Sequence, residues 1–126
     1  MKTRILVPVL LASGLGLAAC GGGSSSSDAT VPADADVVVR AVDGLKWDQD
    51  TYAAAAGDVL IATINDSGQP HNLHISDATN TELPVALDIP SRGSVATGTY
   101  TLSAGTYTLF CTIPGHSNMR ATLDVG

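Results

Sequence analysis

The sequence contains little cysteine, few basic residues and little histidine, and each shortage narrows what the chain can do. Only two of its 126 residues are cysteines, Cys20 and Cys111. Six lysines and arginines stand against twelve aspartates and glutamates, and two of those six (Lys2 and Arg4) precede Cys20. A chain this acidic lacks the basic surface that binds nucleic acid, so no nucleic-acid partner is expected.

A sustained apolar period of 3.6 residues is also missing, so little helix is expected. Turn signals instead recur every 8 to 12 residues, as at Asp43-Gly44 and Ala104-Gly105, which predicts an all-β sandwich or barrel. The predicted strands cover residues 37–42, 45–47, 51–55, 59–65, 72–76, 95–102, 106–111 and 120–125. Residues 81–93 contain two prolines and no clear period, and they predict a loop. Residues 102–107 resemble a tyrosine corner, with Tyr107 bonding back to the main chain.

The N-terminal segment, residues 1–19, predicts export. A short basic start precedes an apolar run too short for a comfortable membrane span. The run ends in Leu17-Ala18-Ala19-Cys20, which resembles the lipobox of bacterial lipoproteins. That resemblance implies a lipoprotein signal peptide over 1–19, cleavage before Cys20 and a diacylglyceryl group on its thiol. An ordinary secretory signal is the alternative.

Residues 20–36 are rich in glycine and serine and hold no large apolar residue except Val31. Such a tract behaves as a flexible coil, so it predicts a tether between a lipidated Cys20 and a folded domain over 37–126. Two acyl chains anchor a protein much more firmly than one. The expected location is the extracytoplasmic or periplasmic face of a cell-envelope membrane.

Residues 109–122 bring three soft or borderline metal ligands close together. Cys111, His116 and Met119 lie within nine residues, around a turn at Pro114-Gly115. His71, forty residues upstream, supplies a second imidazole. Two histidines, one cysteine and a weak axial methionine are the ligands of a blue-copper electron-transfer site. The alternatives are an inert buried cysteine, an exposed loop histidine and a core methionine.

Strand periodicity supports this ligand set. In the predicted strand over 106–111, Cys111 shares a face with Leu109, and extending the last strand backwards puts Met119 on its apolar side. If His71 points inward, His74 points away, because residues three apart in a strand lie on opposite faces. His74 is therefore interpreted as a surface residue or a support for the ligands.

The segments HNLHI and YTLFCTIPGHSNM resemble the cupredoxin family of small blue copper proteins, which includes plastocyanins, azurins and amicyanins. The resemblance implies an eight-stranded Greek-key sandwich, with Cys111, His71 and His116 as equatorial copper ligands and Met119 as the axial ligand. It also implies that Asn72 pins the ligand loop by hydrogen bonds. His116 would lie with Pro114 in an apolar surface patch through which electrons pass.

One spacing departs from that family. Many relatives with four residues between the cysteine and the histidine have three or four between that histidine and the methionine. Here only Ser117 and Asn118 lie between His116 and Met119. The axial role of Met119 is therefore the assignment for which the motif gives the least support.

The expected function is lipid-anchored transport of single electrons through one copper ion, between a redox-protein donor and acceptor such as a cytochrome or a membrane oxidoreductase. Copper delivery without a redox role uses the same ligands and is the alternative. An enzyme with a copper cluster needs more than the three histidines of this chain, so no enzyme is expected. A structural sandwich with zinc or no metal also remains open.

Overall fold

Alternating apolar and polar residues form nine short strands within residues 30–126, the range that the computed structural model describes. No helix occurs in this range. The strands are β1 (Val37–Val42), β2 (Lys46–Trp47), β3 (Thr51–Ala54), β4 (Gly57–Asn65), β5 (His71–Ser76), β6 (Leu87–Ile89), β7 (Val95–Leu102), β8 (Gly105–Phe110) and β9 (Arg120–Val125). The predicted all-β class is confirmed, and most predicted boundaries lie within one or two residues of these.

The strands form two sheets, one of four strands in the order β2-β1-β4-β7 and one of five in the order β3-β9-β8-β5-β6. β1 runs parallel to β4, and β3 runs parallel to β9, whereas the other pairs are antiparallel. The chain crosses repeatedly from one sheet to the other. The result is the Greek-key sandwich expected of a cupredoxin, with nine strands in place of about eight.

The extra strand corrects one prediction. The loop predicted over residues 81–93 contains a strand, β6, which pairs antiparallel with β5 and places Ile89 opposite His71. Leu87 and Ile89 are buried and Asp88 between them is exposed, as expected for a strand whose successive side chains point to opposite faces. Three residues are too few for a period to stand out between two prolines.

The core lies between the sheets and consists of the inward-facing member of each alternating pair. In β9, Ala121, Leu123 and Val125 are buried, and β1 follows the same pattern. Fully burying one such aliphatic side chain contributes about 1.5–3 kcal/mol relative to leaving it exposed. Within residues 30–126, the fully inaccessible valine, isoleucine and leucine residues are Val39, Ile61, Leu73, Ile75, Ile89, Leu109 and Leu123.

The tyrosine corner predicted at residues 102–107 is present. The hydroxyl of Tyr107 donates to the carbonyl oxygen of Ser103 at 3.0 Å. The bond ties the start of β8 to the turn that precedes it, where the chain passes from the four-stranded to the five-stranded sheet. Its role is structural, as expected.

Several predictions fall on residues 1–29, which lie outside the described residues. They are the signal peptide over 1–19, lipidation of Cys20 and most of the tether over 20–36. Within residues 30–126, no helix has the length and apolar character needed to cross a membrane. The domain boundaries remain predictions.

Leu123 offers a test of the core. Leu123→Ala should lower the free energy of unfolding of the metal-free protein by about 2–5 kcal/mol, because it leaves a cavity at a fully buried position. Val85→Ala is the control. Val85 is 43% exposed, so this substitution should change the free energy of unfolding by no more than about 0.5 kcal/mol. Urea unfolding measures both, and equal losses would contradict the assigned core.

Candidate metal centre

Strand pairing brings the four predicted ligands to one end of the five-stranded sheet. His71 begins β5, Cys111 follows β8, and Met119 immediately precedes β9. β5 and β8 are antiparallel neighbours with His74 opposite Phe110. The start of β5 therefore lies beside the segment that leaves β8, which places His71 next to Cys111 despite the forty residues between them.

Three side chains converge there. His71 Nδ1 lies 3.2 Å from His116 Nδ1, which in turn lies 3.7 Å from Cys111 Sγ. The three ligand atoms all lie within 4.8 Å of one another. The side chains are almost inaccessible, with 2% of His71 and 6% each of Cys111 and His116 exposed. No disulfide engages Cys111, so its sulfur is free for a metal.

This donor set fits one copper ion. A thiolate and two imidazoles together suit both Cu(I), which favours soft sulfur, and Cu(II), which favours nitrogen. Copper was the predicted cofactor, and the converging side chains agree with that prediction.

The loop that carries Cys111 and His116 consists of two consecutive tight turns. His116 N donates to the carbonyl oxygen of Ile113 at 3.0 Å, and Met119 N donates to that of His116 at 2.9 Å. Pro114 and Gly115 occupy the centre of the first turn, where Gly115 has a φ of +88°. Proline followed by a residue of positive φ is the signature of a type II turn, which glycine adopts without strain.

Met119 lies at the base of this loop. Its side chain is fully buried, and its carbonyl oxygen accepts a hydrogen bond from Cys111 N at 3.2 Å. That bond closes the loop between β8 and β9 and holds the Met119 backbone beside the thiol. Axial ligation through the Met119 sulfur stays a prediction.

Asn72 holds the loop from the side, as the resemblance implied. Its Oδ1 accepts from Thr112 N at 2.8 Å, and its Nδ2 donates to Thr112 Oγ1, also at 2.8 Å. Thr112 directly follows Cys111, so this pair of bonds fixes the chain at the thiol. The sequence prediction did not include Thr112, although its place directly after Cys111 in the ligand loop was a usable signal.

His74 points away from the three ligands, as its strand position predicted. Its Nε2 lies 3.2 Å from Thr112 Oγ1, and its Nδ1 contacts the carboxylate of Glu82. His74 therefore supports Thr112 from the outer face of β5 and is not part of the cluster. Two further residues close to the ligands were missed: Ser67, whose Oγ lies 2.7 Å from His71 Nε2, and Asn65, which contacts Ser67.

Electrostatics favour a neutral His71. Burial lowers its pKa below the ordinary value of about 6.5, and the nearby His116 lowers it further. A neutral imidazole keeps a lone pair for a metal, so the site is arranged to accept a cation near neutral pH.

The lowered pKa predicts an acid-sensitive metal-free protein. In the unfolded chain His71 takes up a proton near pH 6.5, whereas in the folded chain it does so only at lower pH. The contribution of neutral His71 to the free energy of unfolding is therefore fully present above pH 6.5. It is lost as the pH falls through the pKa that His71 has in the folded protein. Thermal unfolding between pH 7.5 and 5.5 should show a falling melting temperature, and His71→Gln should flatten that fall. Parallel curves for the two proteins would contradict the assignment.

Comparisons with known proteins give a family and a fold for the chain. A family model described as copper binding proteins, plastocyanin/azurin family, matches residues 33–126. A search of curated proteins gives no match.

Solved structures show the same fold. Dithionite-reduced auracyanin from Roseiflexus castenholzii is 22% identical with a TM-score of 0.62, covering 71% of this chain and 95% of its own. An azurin from Methylomonas sp. strain J is 17% identical with a TM-score of 0.61, covering 75% and 99%. A proline-to-glycine variant of amicyanin in its reduced Cu(I) form is 28% identical with a TM-score of 0.58, covering 79% and 89%.

Proposed function

The chain belongs to the plastocyanin/azurin family of copper binding proteins, and we propose that it carries single electrons through one type 1 copper ion. His71, Cys111 and His116 would be the equatorial ligands, and Met119 the axial one. The observation that carries the proposal is the convergence of one thiol and two imidazole nitrogens within 4.8 Å in a buried position.

Copper would supply the one-electron couple between Cu(II) and Cu(I). The protein's contribution is to hold the ligands still, because little rearrangement then accompanies electron transfer. Two main-chain turns, the bond from Cys111 N to Met119 O and the Asn72–Thr112 pair all restrain the ligand loop. None of these hydrogen bonds uses an atom that would ligate the copper.

His116 is the proposed point of electron entry and exit. It is the ligand that lies between the exposed residues Gly115 and Ser117, and Pro114 beside it is exposed as well. A small patch of this kind is enough for redox proteins, whose encounters bury little surface and are short-lived. The donor and acceptor would be redox proteins, such as a cytochrome or a membrane oxidoreductase.

The proposal includes a membrane anchor at Cys20. The motif Leu17-Ala18-Ala19-Cys20 and the glycine- and serine-rich tract after it support lipidation and a flexible tether. The domain would then be exported and held at the extracytoplasmic or periplasmic face of a cell-envelope membrane. Partners in the same membrane would lie within reach of the tether.

Copper delivery is the competing function, and burial argues against it. A delivery site releases its ion to a partner and therefore needs exposed ligands, whereas all three side chains here are at most 6% exposed. An enzymatic role is not proposed, because the chain has three histidines in all and the cluster uses two of them.

Visible spectroscopy tests the function directly. Cu(II) is added to the reduced, metal-free protein, and an intense thiolate-to-copper absorption band is expected. Ascorbate should bleach the band and an oxidant should restore it. A protein that binds copper without this band, or whose band cannot be cycled, would favour delivery or a structural site instead.

Cys111→Ala should abolish the band, because it removes the thiolate from which the charge transfer arises. The fold should remain, since alanine is a small apolar residue at this buried position and the strands are held by their own pairing and core, and circular dichroism checks this. His74→Gln is the control: it removes an imidazole outside the cluster and should keep the colour. A blue Cys111→Ala protein would refute the ligand assignment.

Met119→Leu tests the axial role. Leucine retains an apolar side chain of similar volume, so the stability cost should stay below about 1.5 kcal/mol. The band should persist with altered energy, and the reduction potential should rise because a sulfur donor to Cu(II) is lost. Voltammetry and absorption measure both, and unchanged values would remove Met119 from the ligand set.

A further inference from the structure

A buried polar cluster lies behind His71, on the side away from the other ligands. Asn65 at the end of β4 is 0% exposed, and Ser67 in the following turn is 2% exposed. Buried polar groups cost free energy unless each is hydrogen-bonded, so the direction of every bond in such a cluster is constrained. The neighbours of Asn65 determine which atom donates and which accepts in each of these bonds.

The amide of Asn65 has one possible orientation. Its Nδ2 lies 2.6 Å from the carbonyl oxygen of Gln69 and 2.9 Å from that of Ile89. Carbonyl oxygens only accept, so Nδ2 must donate both bonds. Asn65 Oδ1 is consequently an acceptor, and Ser67 N donates to it at 2.9 Å.

The Ser67 hydroxyl then has its own direction set. Its Oγ lies 2.8 Å from Asn65 Oδ1 and 3.2 Å from the Gln69 carbonyl oxygen, and both of these oxygens only accept, whereas His71 Nε2 is able to donate. The single hydroxyl hydrogen therefore points to the nearer oxygen, Asn65 Oδ1, because two oxygens 2.8 Å apart with no hydrogen between them would repel. Gln69 N donates to the same Oγ at 3.3 Å. One lone pair remains, and it faces His71 Nε2 at 2.7 Å.

We propose that Ser67 and Asn65 are positioning residues that keep the hydrogen of His71 on Nε2 and leave Nδ1 bare toward the metal position. Because Ser67 Oγ offers His71 only a lone pair, Nε2 must donate. A neutral imidazole carries one hydrogen, so Nδ1 has none. Nδ1 is also the atom that lies 3.2 Å from His116 Nδ1, inside the ligand cluster.

The turn that carries Ser67 is itself held in place. Arg92 Nη1 donates to the carbonyl oxygen of Asp66 at 2.6 Å, and Arg40 Nη1 pairs with the Asp66 carboxylate at 2.9 Å. The Asn65 main chain is bonded to both Gly93 and Ser94. The Ser67 hydroxyl is therefore held in a fixed position relative to β4. Because His71 lies on β5, its bond to Ser67 holds the imidazole ring to the four-stranded sheet.

The proposal rests on the proposed copper function, but the position of the hydrogen on the His71 ring is a property of the metal-free protein. Outer partners of metal-bound histidines typically account for 10–100-fold in metal affinity. Without the serine acceptor, the hydrogen could move to Nδ1, where it would have to leave before a metal binds. We therefore expect loss of the hydroxyl to weaken metal binding.

Two variants of matched shape isolate the hydroxyl. Ser67→Thr keeps it, whereas Ser67→Val has the same branched outline without it, and Ser67→Ala removes it with no added bulk. Thr63→Val is the control, because it deletes another buried hydroxyl, one that donates to Val39 O at 3.0 Å on the same strand as Asn65. The measurements are nitrogen-15 NMR of the histidine rings in the metal-free full chain at pH 7.5, and Cu(I) affinity by competition with a chelator.

The wild-type protein should show His71 with its hydrogen on Nε2. Ser67→Val and Ser67→Ala should bind Cu(I) 10–100-fold more weakly than Ser67→Thr, whereas Thr63→Val should match the wild type. A wild-type hydrogen on Nδ1, or equal affinities for the Thr and Val variants, would overturn the proposal. If position 67 tolerates none of the changes, the wild-type tautomer alone decides. Failure of the wild type to bind copper would count against the electron-carrier function and leave the tautomer result standing.

Discussion

The metal site depends above all on the register between β5 and β8. With His74 opposite Phe110, His71 and Cys111 lie side by side and both face the interior. A slip of one residue would turn either side chain outward, because strand residues alternate between faces. The buried residues Leu73, Ile75 and Leu109 oppose such a slip, since it would also expose them. The same apolar core therefore stabilises the sandwich and aligns the ligands.

Much of this arrangement could be predicted from the sequence because the signals are local. The two-residue period places His71 on the inner face of β5 and His74 on the outer, and the spacing from Cys111 to Met119 indicates a metal loop. β6 was missed because three residues between prolines carry almost no period. The contacts of Ser67 were missed because a hydroxyl in a turn has no preferred partner in sequence; only the folded chain brings it to His71.

The two sheets contribute unequally to the site. All three converging side chains come from β5 and from the loop between β8 and β9, which belong to the five-stranded sheet. The four-stranded sheet reaches the ligands through Asn65 and the turn that follows it. Because Asn65 also donates to Ile89 O on β6, one amide links both sheets beside the metal position. Changes in the packing between the sheets would therefore be transmitted to His71.

Trp47 is the only tryptophan in the chain, and it is buried with its ring centroid 6.5 Å from that of His71. The indole thus lies in the apolar interior next to the imidazole of a predicted metal ligand. Its ultraviolet emission originates from one environment, and an ion held by His71 would lie close enough to quench it. The protein consequently contains its own optical reporter, through which metal loading and loss of the sandwich can each be followed without an added label.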